Sequence, residues 1–345
     1  MIGPLAKCID WSAIQVLFGI EALFMPKAQP NGSNLRLEEA LQFLKGPDFI
    51  PAESQPARVE FNPDKSGLHF RFPTPRPCDF AENNVVHGRL YRCGENWQEQ
   101  PVIVLLHGGN LDGHQNDFLN HRFRFPLISR RCNRAGLNAA TLLAPYHFQR
   151  CPRQFGSMDY LGWAEATAQA VAEIRALTGW LLAEGCPAIA LWGISMGGWL
   201  AGLAVCRDAR LASVVATVPR VRMDLSAAEQ VIWRRIREAL PGLRVVNDAL
   251  DMTPLNLTLA KQAIPRENIL LIEGMYDLCT PPEPIEELWQ ARGRPDIWRL
   301  PLGHIGIGLG FTPGLTGRVL RWLAPRLNVH VATKRVSRGF PRNAE

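Results

Sequence analysis

The chain has 345 residues, 47% of them hydrophobic and 20% charged; that suffices for one large domain or two small ones with a sizeable core, and argues against disorder. Its eight cysteines are scattered, with no Cys-x-x-Cys pair and no Cys/His cluster of zinc spacing, so a disulfide framework and a zinc site are not expected. The net charge of +6 resides in residues 318–345, where Arg318, Arg321, Arg326, Lys334, Arg335, Arg338 and Arg342 stand against Glu345, leaving 31 basic and 31 acidic groups elsewhere. A basic end can touch nucleic acid or anionic lipid, but a solvated end is the reading preferred, and no nucleic-acid partner is expected.

Ile9 to Met25 reads as a helix ended by Pro26. Its apolar run, Ala13 to Met25, is broken by Gln15 and Glu21, too short to span a bilayer and without a signal-peptide layout. It is expected to pack on the body, with a helix lying on a membrane surface as the alternative. Leu35 to Leu44 has helical spacing and stops at Gly46-Pro47. Pro51 to Pro77 is proline-rich, and its short alternating pieces, Arg58–Phe61 and Leu68–Phe72, suit edge strands. Val85 to Cys93 is a further strand.

From Pro101 the pattern changes. Val102 to Leu106 is a continuous apolar run, as a strand buried on both faces requires. Asp117 to Ala135 has helical character, to be kinked or split by Pro126. Then come a strand at Ala139–Ala144, a long amphipathic helix at Tyr160–Ala183, a strand at Ala188–Trp192 and a helix at Gly197–Cys206. Leu211–Val218, Asn268–Ile272 and Ile297–Leu300 follow as strands, and Leu315–Leu323 as the closing helix. Alternating strands and helices predict an α/β fold with a mostly parallel sheet. The alternation pauses between 220 and 265, where Ser226 to Glu229 forms a capping box for a helix that stops at Pro241-Gly242. This insertion is either a lid over a pocket or a longer connection beside the sheet.

Gly193-Ile194-Ser195-Met196-Gly197 sits between a predicted strand and a predicted helix. A serine on such a turn needs small neighbours two residues before and after it, so that strand and helix can approach. Its hydroxyl becomes a nucleophile only when a base takes its proton and a third group holds that base. Of eight histidines, only His304 follows a late strand, in Leu300 to His304 with glycines at 303, 306 and 308. The acid is expected between serine and histidine, just past a strand; Asp277 fits, against Glu273, Asp251 and Asp248 as competitors. An oxyanion hole needs two N–H donors. One is Met196, directly after the serine; the other is Gly109 or Asn110, in the turn His107-Gly108-Gly109-Asn110 after the strand 102–106. His107 is expected to orient that turn.

The order Ser195, Asp277, His304, with His107-Gly108-Gly109 upstream, closely resembles the α/β-hydrolase superfamily over residues 85–325. The resemblance implies an α/β-hydrolase fold: a mostly parallel eight-stranded sheet flanked by helices, with a helical insertion and an N-terminal helical extension. It also implies acyl transfer on esters. Pro145 to Pro152 resembles the same segment of dienelactone-hydrolase-like and acetyl-esterase-like members; the N-terminal helix with Gly193 to Gly198 resembles an ABHD-type branch. Tyr146, His147 and Arg150 leave a strand at the same sheet end as Ser195 and are candidate substrate contacts, Arg150 for a carboxylate or phosphate. Anchoring the loop through ion pairs is the other role open to that arginine.

The expected organisation is an N-terminal extension at 1–84, a hydrolase domain at 85–325 with a lid at 220–265, and a basic tail at 326–345. The expected activity is carboxylic ester hydrolysis on a small-molecule ester, without cofactor or metal. A peptidase of the same fold, a membrane-associated lipid hydrolase touching the bilayer through Ile9–Met25 or the basic tail, and a non-catalytic binding protein are the alternatives. The scattered thiols fit the cytoplasm, with a Cys132–Cys151 disulfide left open.

Overall fold

A computed structural model describes residues 3–12, 36–47, 49–51, 53–64, 67–109, 124–152, 159–222, 253–308 and 314–329. Nine strands form one sheet: β1 (Glu60–Asp64), β2 (Gly67–Pro73), β3 (Val85–Tyr91), β4 (Val102–Leu106), β5 (Asn138–Leu142), β6 (Ile189–Ile194), β7 (Ser213–Thr217), β8 (Ile269–Gly274) and β9 (Asp296–Leu300). The spatial order is β1-β2-β3-β5-β4-β6-β7-β8-β9. The first three strands are antiparallel, and every pairing from β5 onward to β9 is parallel. The sheet thus has nine strands where the family resemblance implied eight. The proline-rich segment supplies the outermost hairpin, and β1 with Pro63 sits at the edge, where a missing N–H costs no ladder bond.

The parallel strands are apolar on both faces because helices cover both. Val102, Val104 and Leu106 face one cluster with Leu177, Leu181, Trp199 and Leu203; Ile103 and Leu105 face the other with Phe125, Ile128, Val319 and Leu323. Period-two alternation therefore separates two cores rather than a core from water. Residues 3–12 are helical (α1). They are followed by α2 (Leu37–Lys45), α3 (Phe125–Arg134), α4 (Tyr160–Ala183), α5 (Met196–Val205), α6 (Pro282–Ala291), α7 (His304–Gly308) and α8 (Leu315–Leu323). Helices α4 and α5 line the first core, α3 and α8 the second.

Three expectations change. The first helix already runs at residue 3, ahead of Ile9, because Pro4 is tolerated in a first turn; residues 13–35 lie outside the described set. Pro126 lies in the first turn of α3; the earlier part of the helix expected at Asp117–Ala135, up to residue 123, lies outside the described residues. Helix α4 keeps its predicted bounds and is capped by Asp159, which accepts from the Gly162 N–H at 2.8 Å. It is not amphipathic, however: Ala166 through Leu181 are buried continuously, so its alanines are contacts on all sides. Helix α6 had not been expected; Pro281-Pro282 opens it and Ile285 and Leu288 bury its inner face. Cys132 and Cys151 are free thiols. Of the insertion, 223–252, with the capping box and its helix, lies outside the described residues. Its two ends are joined to each other by Leu257 N–H to Val221 O at 2.9 Å and tied to the body by Trp199 Nε1–H to Leu255 O at 2.9 Å. No helix among the described residues is long and apolar enough to cross a membrane.

Candidate active site

The C-terminal ends of the parallel strands lie side by side, with Leu106 paired to Gly193, Ile194 to Thr217, Thr217 to Ile272 and Gly274 to Leu300. After β4 the chain crosses to β5 on one side and later to β6 on the other. A crevice opens where the strand order reverses in this way, and Ser195 stands at it, just past β6.

Ser195 has φ 56° and ψ −118°, a left-handed strain for a residue with a Cβ that only a tightly determined turn sustains. The turn is determined by glycine. A methyl at Gly193 would meet the Gly197 carbonyl oxygen at 2.0 Å, and one at Gly197 would meet the Leu106 carbonyl oxygen at 2.3 Å. The backbone of Ser195 is pinned by its N–H to Thr217 O at 2.9 Å, and its own carbonyl accepts the first helical bond from Trp199 at 3.1 Å. The side chain, half-buried, is left to point out of the sheet.

His304 Nε2 lies 3.1 Å from Ser195 Oγ, and His304 Nδ1 lies 2.7 Å from Asp277 Oδ2. The carboxylate fixes the tautomer: Nδ1–H donates to Asp277, leaving Nε2 free to accept from the serine hydroxyl. Asp277 is itself fully buried. Its Oδ1 accepts from the Cys279 and Thr280 N–H groups, each at 2.7 Å. Thr280 was not singled out from the sequence, where it reads only as part of a Pro-Pro turn. Its hydroxyl is 3.0 Å from Asp277 Oδ2, 3.1 Å from the Val218 carbonyl and 3.2 Å from His304 Nδ1. An S/T side chain three residues after an aspartate is the local signal that could have marked it. Glu273, the nearer competitor, is still on β8, and Asp251 and Asp248 lie outside the described residues.

Of the expected oxyanion donors, Met196 is the first residue of α5 and Gly109 has φ 122°, open to glycine alone; Asn110 lies outside the described residues. His107 holds this turn. Its Nε2 accepts the Ala144 N–H at 3.0 Å, so Nδ1 carries the proton and donates to Gly108 O at 2.7 Å.

The three candidate substrate contacts are placed otherwise. Arg150 is completely buried, donating to both oxygens of Glu173 at 2.6 and 2.8 Å and to the carbonyls of Leu143 and Asn83 at 2.7 Å. Gln169 and Thr74 complete the shell around Glu173 at 3.0 and 2.6 Å. His147 is buried with Nδ1 on the Pro145 carbonyl at 2.8 Å, and Tyr146 is buried with its hydroxyl on Cys78 Sγ at 3.6 Å. Burial, with the Cys78 contact, pushes the Tyr146 phenol well up. These residues anchor the loop after β5 rather than present it to a ligand.

Among the described residues, Asp277, Cys279 and His304 bring possible metal donor atoms within 4.8 Å of one another. The first and last are engaged with each other, and burial beside Asp277 and Asp10 pushes the Cys279 thiol well up, so the thiolate a metal would need is disfavoured.

A family model described as alpha/beta hydrolase domain containing 18 matches residues 82–229. An uncharacterized protein of Mycobacterium tuberculosis (strain ATCC 25618 / H37Rv) is 28% identical over 244 residues, 67% of this chain and 55% of that protein; the chain therefore spans about half the length of this relative. Among solved structures, a Pyrococcus furiosus esterase matches with a TM-score of 0.53 at 15% identity, over 88% of this chain and 97% of its own. Acetyl xylan esterase 1 from Thermoanaerobacterium sp. JW/SL YS485 matches with a TM-score of 0.54 at 15% identity, over 84% and 93%. The parallel sheet with its antiparallel outer hairpin, the glycine-pinned serine turn and these matches together give the chain the α/β-hydrolase fold, with residues 82–229 similar to an α/β-hydrolase domain family.

Proposed function

We propose that the chain is a serine hydrolase that cleaves a carboxylic ester through an acyl-enzyme on Ser195. The observation that carries this is the unbroken relay Asp277 Oδ2, His304 Nδ1, His304 Nε2, Ser195 Oγ, at 2.7 and 3.1 Å. His304 Nε2 takes the serine proton as Oγ attacks the ester carbonyl. Asp277 stabilises the imidazolium that forms and does not itself take the proton. The carbonyl oxygen becomes an oxyanion held by the Met196 N–H and by an N–H of the Gly109–Asn110 turn. Collapse expels the alcohol, which receives the proton from His304. Water then attacks the acyl group, giving its proton to His304, and Ser195 leaves with that proton restored while the acid departs. The two structural neighbours named above are esterases, so an ester is the bond to test first.

A fluorophosphonate probe is expected to label the protein at Ser195. The Ser195→Ala variant should lose labelling and at least about 10⁴-fold in p-nitrophenyl acetate turnover, the scale for removing a triad serine. Labelling that survives in the alanine variant, or a folded wild type inert to both reagents, overturns the reading.

A further inference from the structure

Helix α1 is docked by its least hydrophobic face. Gly3, Ala6 and Asp10, spaced to share one side of a helix, are buried, whereas Leu5, Ile9 and Trp11 are 62%, 48% and 51% exposed. Burial of apolar surface therefore does not explain where this helix sits. Among the described residues, its hydrogen bonds to the body are those of Asp10. Asp10 Oδ2 accepts the N–H of His304 at 2.6 Å and of Leu278 at 3.3 Å, and Oδ1 accepts the N–H of Ile305 at 2.9 Å. One carboxylate thus joins the loop that carries His304 to the loop that carries Asp277. The fit is close on both sides: a methyl at Gly303 would meet the Asp10 carboxylate at 2.3 Å, and one at Gly3 would meet the Tyr276 ring at 2.8 Å. The backbones of the two loops are also laced by Tyr276 N–H to Leu302 O at 3.1 Å and Met275 N–H to Leu300 O at 2.9 Å, while His304 reaches the Asp277 loop through its ring, at Asp277 and Thr280.

We infer that Asp10 is a positioning residue for the proposed hydrolase: by holding the backbone N–H groups of Leu278, His304 and Ile305 on one carboxylate, it sets the approach of the His304 imidazole to both Asp277 and Ser195. This rests on the serine-hydrolase reading for its kinetic consequence and on geometry alone for its structural one. A backbone N–H is the group held, so the imidazole is steered through its own main chain and Asp10 touches no reacting atom. Misplacing a base by about 1 Å costs on the order of 10²-fold in rate.

The test uses the full chain with Asp10→Ala, Gly303→Ala and the double variant, each corrected for folded fraction by near-ultraviolet circular dichroism. For p-nitrophenyl acetate, Asp10→Ala is expected to lower kcat about 10- to 100-fold with KM within about twofold, and to shift or broaden the downfield proton resonance of His304 Nδ1–H. Gly303→Ala, which displaces the same carboxylate from the other side, should do likewise. The double variant should be no worse than Asp10→Ala within about twofold, because both act through one contact. A merely structural role predicts a lower melting temperature with kcat and the resonance unchanged in the folded fraction; that result, or losses that multiply in the double variant, overturns the inference. Where Asp10→Ala does not fold, Gly303→Ala against wild type reads the same contact. A wild type inert to ester and probe, yet with a downfield resonance that Asp10→Ala shifts, rejects the hydrolase reading and retains the positioning one.

Discussion

Two loops leave the same end of the sheet and use the same kinds of residue to opposite effect. After β5, Arg150, Glu173, Gln169 and Asn83 close a polar cluster in which the charges meet each other and the surrounding carbonyls, and nothing is offered to the crevice. After β8 and β9, Asp277 is as deeply buried, but one of its oxygens accepts from a histidine whose other nitrogen faces a half-exposed serine. A buried charge must be paired to be tolerated. The first loop satisfies that requirement within itself and becomes an anchor. The second satisfies it through a group with a second hydrogen-bonding atom left over, and that remainder is available for chemistry.

The comparison breaks first if the anchor can be removed without cost. Arg150→Met leaves Glu173 a buried, half-partnered carboxylate, and should destabilise the fold by about 3–5 kcal/mol in urea unfolding, the range for orphaning one member of a buried pair. Activity per folded molecule should stay within about threefold, since Arg150 is not at the crevice. Arg150→Met combined with Glu173→Leu should recover a large part of the loss. A large drop in turnover with little change in stability would return Arg150 to the substrate.

Glu273 is an intermediate case on β8: buried like the anchor, yet with Oε2 lacking a hydrogen-bond partner. Burial, reinforced by the nearby Glu286 carboxylate, pushes it up to about 7, and Arg299, committed to Glu286 at 2.5 Å, offsets this only in part. A carboxyl whose folded pKa lies above its unfolded one favours the folded state when protonated. That stabilisation is full below about 4.5 and is lost as pH rises through about 7. Glu273→Gln, which cannot ionise, should therefore exceed wild type in stability at pH 8 by on the order of 1–3 kcal/mol, with the gain gone below pH 4.5. Denaturant melts at the two pH values decide it; an equal difference at both would mean that ionisation is not the cause.

The legible and illegible parts of the molecule divide along the same line. Ser195, Asp277 and His304 could be found because each follows an apolar run, in the order the sheet requires, with glycines at 193, 197 and 303 marking where backbones touch. The central parallel strands were visible as apolar runs, the outer hairpin only as short alternating pieces. What pairs Arg150 with Glu173 is distance in the chain folded away: Glu173 sits inside α4, whose alanines and polar residues mimic an amphipathic helix while every face is covered. Asp10 and His304 are 294 residues apart, and no local period connects them. Thr280 was hidden differently, in a turn whose prolines explained the chain direction and so left the hydroxyl without a question.

Thr280 offers the smallest and finest test. Its N–H and its hydroxyl both meet Asp277, one at each oxygen, at 2.7 and 3.0 Å. Thr280→Val keeps the shape and the N–H and removes only the hydroxyl. If the second loop works by fully satisfying Asp277, the variant removes a donor from Oδ2, the oxygen that also faces His304 Nδ1; the carboxylate is left freer to rotate, and about 1 kcal/mol of hydrogen bonding is lost. That corresponds to roughly a fivefold fall in kcat for p-nitrophenyl acetate, with KM unchanged, and Thr280→Ser should restore most of it. A variant with full kcat and only reduced stability would assign the hydroxyl to the Val218 carbonyl, 3.1 Å away, and confine the positioning of Asp277 to the N–H donors of Cys279 and Thr280.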